Sequence, residues 1–217
     1  MPRNKYPEET RQKIIDAGIK TFRENGYDHT TILDIVSNMD GLTRGAFYHH
    51  FKSKEEVLQA ICSKLFTDRN PFEMVKNEKG LNGLQKLQKA MKINLTDFDD
   101  EYKPLRIASM SLLKSPQIFM AQMEQNVSLS RTYVQPLIEE GVADGSLKVE
   151  NPRLVAELFV LLFNFWLMPV IFDGDAEYME SKAELATEIL HELGLHLWDE
   201  EFEELGTNFV ASIANEA

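Results

Sequence analysis

The chain has 217 residues, of which 43% are hydrophobic, one cysteine (Cys62) and a formal net charge of −12. That length and apolar content can build a core unaided, and a lone cysteine excludes an internal disulfide framework. The acidic total argues against a polyanionic partner, but residues 1–54 hold nine Lys/Arg against seven Asp/Glu while the remainder holds 14 against 28, an asymmetry that fits an N-terminal nucleic-acid contact carried by an acidic body.

Helical periodicity runs through almost the whole chain. Pro7 followed by Glu8 and Glu9 suits a helix start, Ile15, Ile19 and Phe22 recur on one face, and Gly26 stops the run. Thr31, with Asp34 three residues on, opens a short second helix, ILDIVSNM, which the pair Asp40-Gly41 closes. Thr43 caps a third, RGAFYHH. Ser53 with Glu56 caps a fourth, whose apolar stripe is Leu58, Ile61 and Leu65 and which Pro71 closes.

Beyond residue 75 longer helices are expected near 81–98, 102–114, 116–144, 152–172, 176–194 and 198–213. Pro136 and Pro169 lie inside these patterns, where each removes a hydrogen bond and can kink its helix. No strand-like alternation of useful length occurs. The expected fold is therefore all-α: an N-terminal helix-turn-helix three-helix DNA-binding domain over residues 1–54 and a larger C-terminal helical bundle over 55–217, about nine to ten helices in all.

The basic N-terminus is followed by no apolar stretch of the signal-peptide kind. The most apolar run, residues 158–172, contains Asn164 and Pro169 and falls short of the ~20 residues a membrane helix needs. A cytoplasmic location and no membrane partner are expected.

A helix, a glycine-containing turn and a short helix between Thr31 and His50 have the form of a helix-turn-helix. A reading helix must project its first residues into the major groove while the preceding helix braces across the backbone, so the turn between them must be tight; Gly41 permits it. Gly45 and Ala46 leave room for base edges, Ala46 suits a thymine methyl, and Arg44 suits guanine O6 and N7. Phe47 and Phe51, four apart, turn back into a small core, while Tyr48, His49, His50, Lys52 and Lys54 offer donors to phosphates. Glycine turns also join helices in plain bundles; the Arg44/Tyr48 pair and the cations closing the unit favour the DNA reading.

These residues carry a resemblance as well. TTILDIVSNMDGLTRGAFYHHFKSKEEVLQAI resembles the DNA-binding segment of the tetracycline-repressor (TetR) family of one-component transcriptional regulators, through its Thr-Thr start, Asp-Ile pair, Gly-Leu-Thr-Arg-Gly-Ala, Tyr-His-His-Phe and Lys-Ser-Lys-Glu-Glu. The resemblance implies base or near-base contacts from Thr43, Arg44, Gly45, Ala46, Tyr48 and His49, and phosphate contacts from Thr31, His50 and Lys54. One residue more than the usual pattern stands between Ile35 and Gly41, and Val36, Ser37 and Met39 replace small alanines, which leaves the path of the turn open. The resemblance further implies a C-terminal domain for dimerisation and effector binding. The partners expected are a double-stranded DNA operator, a second copy of the chain and a small-molecule effector.

Residues 152–172 are apolar nearly all round, which by itself demands a deep core or a partner chain. Phe98, Met110, Met123, Phe163 and Trp166 are candidate lining for an apolar effector, being polarizable and aromatic, although such residues also serve as ordinary core. Catalytic and metal signatures are missing. HELGLH sets His191 and His196 about 140° apart around a helix, and DFDDE lacks the glycine and the bidentate Glu of a calcium loop. No enzyme activity, metal or cofactor is expected. The expected function is sequence-specific transcriptional regulation, as a repressor released from a pseudo-palindromic operator by a small apolar effector. The alternative is a constitutive DNA-binding architectural or scaffolding protein on the same fold.

Overall fold

The structure, a computed structural model, describes residues 7–68, 70–96, 103–199, 201–202 and 205–206. In chain order its helices are α1 (Pro7–Asn25), α2 (Ile32–Ser37), α3 (Arg44–His50), α4 (Lys54–Asp68), α5 (Pro71–Lys76), α6 (Gly83–Thr96), α7 (Lys103–Ser111), α8 (Pro116–Leu129), α9 (Gln135–Asp144), α10 (Pro152–Leu161) and α11 (Ala176–Glu192). No strand occurs among the described residues, and the fold is all-α. No helix among them is long and apolar enough to cross a membrane.

The chain divides into two compact units, residues 1–69 with 101–110, and residues 70–100 with 111–217. The packing division thus falls after α4, whereas the sequence leads us to expect the N-terminal domain to end at residue 54. In the first unit the apolar faces of α1 to α4 meet: Ile14, Ile15, Phe22, Ile35, Met39, Phe47, Phe51, Val57, Leu58 and Ile61 are all buried. α1 and α4 approach closely at Gly18, where a Cβ would stand 2.6 Å from Val57 Cγ1. Ile19, expected on the buried stripe, is only half-buried, and the Leu65 side chain lies outside the described residues.

The second unit has its own core, with Phe72, Val75, Leu87, Met91, Val134, Ile138, Phe159, Val160 and Leu190 among its members. α6 crosses α9 at two glycines: a Cβ on Gly83 would lie 2.1 Å from the Gly141 nitrogen. The Asp144 carboxylate accepts the Gly83 N–H at 2.8 Å and so caps α6 from the far end of α9.

Several expected boundaries shift, each for a local reason. Pro71 opens a helix as well as ending the one before it: Asn70 caps Phe72 and Glu73, with Pro71 at the first position of α5, where its missing N–H costs nothing. The run 116–144 is continuous but is widened to a π-helix over Ser130–Val134 immediately before Pro136. Proline cannot donate to the carbonyl four residues back and its ring crowds it; the wider turn relieves that crowding, and the Gln135 N–H reaches the Ser130 carbonyl instead. α10 likewise ends in a π segment, Leu162–Trp166, with Leu167 as C-cap. Pro169 therefore stands outside the helix, as the restriction on residues before proline favours. Most of the helix expected over 198–213 lies outside the described residues.

Candidate nucleic-acid interface

The reading unit is built from local hydrogen bonds that its sequence dictates. Thr31 caps α2: its hydroxyl accepts the Asp34 N–H at 3.3 Å, and the Asp34 carboxylate accepts the Thr31 N–H at 2.8 Å. The Thr31 hydroxyl also donates to that carboxylate at 2.7 Å, and these bonds from Thr31 hold the Asp34 carboxyl below its ordinary range. α2 ends at Asn38, whose side-chain amide donates to Thr21 Oγ1 on α1 at 3.1 Å, a tie between the bracing helices that no motif announced.

The turn follows. Leu42 N–H donates to the Met39 carbonyl at 2.8 Å, and Gly41 has φ +71°, a left-handed conformation that a side chain would strain. Met39, which opens this turn, is 2% exposed and fills the small core, a burial that stabilises by about 1.5–3 kcal/mol.

Thr43 then caps α3 by accepting the Ala46 N–H at 3.2 Å. Phe47 is fully buried and Phe51 nearly so, their ring centroids 6.2 Å apart, and together they seat α3 on the core. The Arg11 guanidinium of α1 covers the Phe51 ring at 5.2 Å. Seating that face leaves Thr43, Arg44, Gly45, Tyr48 and His49 exposed in a contiguous strip, with Ala46 and His50 half-buried at its edges.

Arg44 lies over the Tyr48 ring at 5.5 Å and makes a long 3.4 Å contact with its hydroxyl, so the two longest side chains of the strip are held side by side. Gly45 is not demanded by the fold: a Cβ there would meet only Thr43 Oγ1, at an ordinary 3.6 Å. His50 Nε2 is buried with no hydrogen-bond partner among the described atoms, and burial, followed by the charges of His49 and Arg11, pushes its pKa down.

Lys54 stands apart from the others. Its ammonium donates to the carbonyls of Tyr27 (2.9 Å), Thr30 (3.1 Å) and Asp28 (3.3 Å) and lies over the Tyr27 ring at 4.4 Å. Tyr27 in turn donates to Glu55 at 3.2 Å, and burial together with the Glu55 charge raises its pKa. The expected opening of α4 is present, with Ser53 Oγ accepting the Glu56 N–H and Glu56 accepting the Lys52 N–H at 2.7 Å.

Three of the five candidate effector contacts lie among the described residues of the second unit. Phe98 lies outside the described residues, and Met110 belongs to the first unit. In the second unit Met123 is half-buried on α8, Phe163 stacks on Trp198 at 6.2 Å, and Trp166 lies against the buried Lys182. His191 and His196, far apart on an ideal helix, come to 4.1 Å between ring centroids because the chain reverses at Gly194, φ +86°. No cluster of three or more metal-ligating side chains forms among the described residues.

Residues 14–61 match the family of bacterial regulatory proteins called the tetR family. The HTH-type transcriptional regulator YhgD of Bacillus subtilis is 23% identical over 76% of this chain and 84% of its own length. The HTH-type transcriptional repressor AcnR of Corynebacterium glutamicum is 25% identical over 71% of this chain and 77% of its own. Among solved structures, a TetR-family transcriptional regulator from Pectobacterium atrosepticum shares the fold, with a TM-score of 0.61 at 20% identity over 98% of this chain and 94% of that one.

Proposed function

Since this chain belongs to the tetR family of bacterial regulatory proteins and is a helix-turn-helix DNA-binding transcriptional regulator, we propose that it acts as a homodimeric repressor on a pseudo-palindromic operator, released by a small, mainly apolar effector held in its C-terminal helices. The observation that carries the DNA reading is the exposed strip of α3. A surface arginine ordered over a tyrosine beside a glycine that the fold does not require is a costly arrangement for a free surface and a useful one against base edges. Thr31 at the start of α2 and His50 at the end of α3 suit phosphates on either side of the groove, with His49 beside the bases.

A single seven-residue reading helix covers only a few base pairs, so useful specificity needs two of them related by a two-fold axis. Apolar side chains left exposed on the last long helices are the candidate contact for that pairing. Leu154 and Leu161 on α10, two turns apart, are 60% and 45% exposed, and Tyr178 and Leu185 on α11 are 54% and 47% exposed. Effector release requires a ligand that prefers the DNA-incompetent state; tight binding alone shifts nothing.

The test is selection of bound sequences from random duplexes, followed by titration of candidate ligands with and without the selected operator. The expected outcome is a two-fold related site and a ligand whose affinity falls in the presence of operator by the factor it imposes on the operator. Ligands that bind equally in both states would leave a constitutive DNA-binding protein in place of a switch.

A further inference from the structure

One face of the helix that runs from α8 through the π segment carries Phe119, Met123, Asn126 and Ser130 at alternating intervals of four and three residues. Opposite it, in the other π segment, stand Asn164 and Phe165. The Asn164 amide donates to Asn126 Oδ1 at 2.9 Å, and the Phe119 and Phe165 rings meet at 5.3 Å between centroids. Asn126 is 3% exposed and Ser130 is 2% exposed, yet neither Asn126 Nδ2 nor Ser130 Oγ has a hydrogen-bond partner among the described atoms. Two orphaned polar groups one turn apart on one buried face are expensive, since each forfeits its hydration without replacement. An apolar pair of the same volume would pack at no such cost.

Both helices also depart from α geometry at this level, at Ser130–Val134 and at Leu162–Trp166. Single π turns inside α-helices are frequent at functional sites. Pro136 stands two residues past the first of them and Pro169 three residues past the second.

We propose that Asn126 and Ser130 are the polar anchor of the effector site, and that the ligand they take is an uncharged molecule with an aromatic or aliphatic body and a carbonyl or hydroxyl oxygen. The proposal rests on the effector reading given above and deepens it. The Asn126 N–H group and the Ser130 hydroxyl both donate to one oxygen acceptor, Asn164 fixes the Asn126 amide so that its donors face the ligand, and Phe119, Met123 and Phe165 take the apolar body. A carboxylate ligand is disfavoured, because none of these six residues carries a positive charge to offset the desolvation of an anion.

The experiment uses the full chain and three probes of matched size, acetophenone, 4-propylphenol and propylbenzene, with binding followed by calorimetry in wild type, Asn126→Leu and Ser130→Ala. The oxygenated probes are expected to bind wild type, to lose at least tenfold in Asn126→Leu and severalfold in Ser130→Ala, while propylbenzene binds the variants no worse than wild type. Because Asn126→Leu also removes the Oδ1 that accepts from the Asn164 amide, its loss of affinity is read against Ser130→Ala, which removes only a hydroxyl with no hydrogen-bond partner among the described atoms. A crystal structure with acetophenone should place its oxygen within hydrogen-bond distance of Asn126 Nδ2.

Unchanged affinity of the oxygenated probes in both variants, failure of every oxygenated probe to bind wild type, or a structure in which Asn126 and Ser130 hold only water beside a bound ligand would each overturn the anchor. The effector reading is decided separately, by whether any compound from a general screen releases operator. A releasing compound insensitive to Asn126→Leu would leave that reading intact and place its site elsewhere.

Discussion

The Lys54 ammonium reaches back across the reading unit to the Tyr27 carbonyl at 2.9 Å while lying over the same residue's ring at 4.4 Å. With the Thr30 and Asp28 carbonyls as its other acceptors, Lys54 pins the start of α4 to the loop that delivers the chain into α2. A residue whose type and position suit a phosphate is therefore first a latch that sets where α2 and α3 stand. Charge-assisted hydrogen bonds contribute about 1.5–3 kcal/mol, less where half-exposed. Lys54→Met is expected to lower unfolding stability by about 1–2 kcal/mol and to weaken specific and random DNA alike. If Lys54 acted on phosphate alone, the melting temperature would hold and the salt dependence of DNA binding would flatten by about one unit of slope.

Arg44 makes a different prediction. It is exposed, ordered over Tyr48 and one residue past the cap of α3, so its expected contribution is to a base edge. Arg44→Ala should cost about 1–3 kcal/mol on the selected operator, relax preference at one position of each half-site and leave stability unchanged. Equal losses on operator and random duplexes, by fluorescence anisotropy, would assign Arg44 to the backbone instead.

Gly45 separates folding from reading. The fold has room for a methyl group there and its φ is not positive, so Gly45→Ala should stabilise the protein by about 0.5–1 kcal/mol through the helix preference of alanine. On DNA the same methyl group is expected to intrude where the proposed reading helix meets the bases. Operator affinity is expected to fall at least tenfold, about 1.4 kcal/mol, as melting temperature rises. A variant that is both more stable and equally tight would remove Gly45 from the interface.

Acid should loosen α2 before the rest of the reading unit. The Asp34 carboxyl is lowered by its hydrogen bonds from Thr31, so its folded pKa lies below the unfolded value. Its stabilising contribution is complete above the unfolded pKa, near 4, and is lost as pH falls through the folded value. Asp34→Asn should therefore flatten stability against pH below about 4, as read by denaturant titration at several pH values, and should change nothing in its pH dependence between 6 and 8.

Dimerisation is best probed at side chains the protomer itself leaves uncovered. Leu162 is 7% exposed and belongs to the core of the second unit, so a charge there would unfold the protomer and say little about assembly. Leu161→Glu and Leu185→Glu fall on exposed positions and should yield soluble, folded monomers with helical content intact. Ultracentrifugation should then show the wild type as a dimer at micromolar concentration and the variants as monomers that bind operator weakly. A wild type that sediments as a monomer would end the two-fold model.

The reading unit was legible in the sequence because its instructions are local. Thr31 and Asp34, Thr43 and Ala46, and Gly41 with its positive φ act across at most four positions, and residue type alone decides whether such caps and turns form. Tertiary packing decided the rest. Lys54 meets carbonyls 24 to 27 positions earlier, and Asn126 meets Asn164 from 38 positions away; no periodicity encodes either meeting. Pro136 shows the same division within one residue. The sequence says that its hydrogen bond must be lost, but only the cost of abandoning the buried Val134, Leu137 and Ile138 decides that the helix widens into a π turn and continues instead of ending.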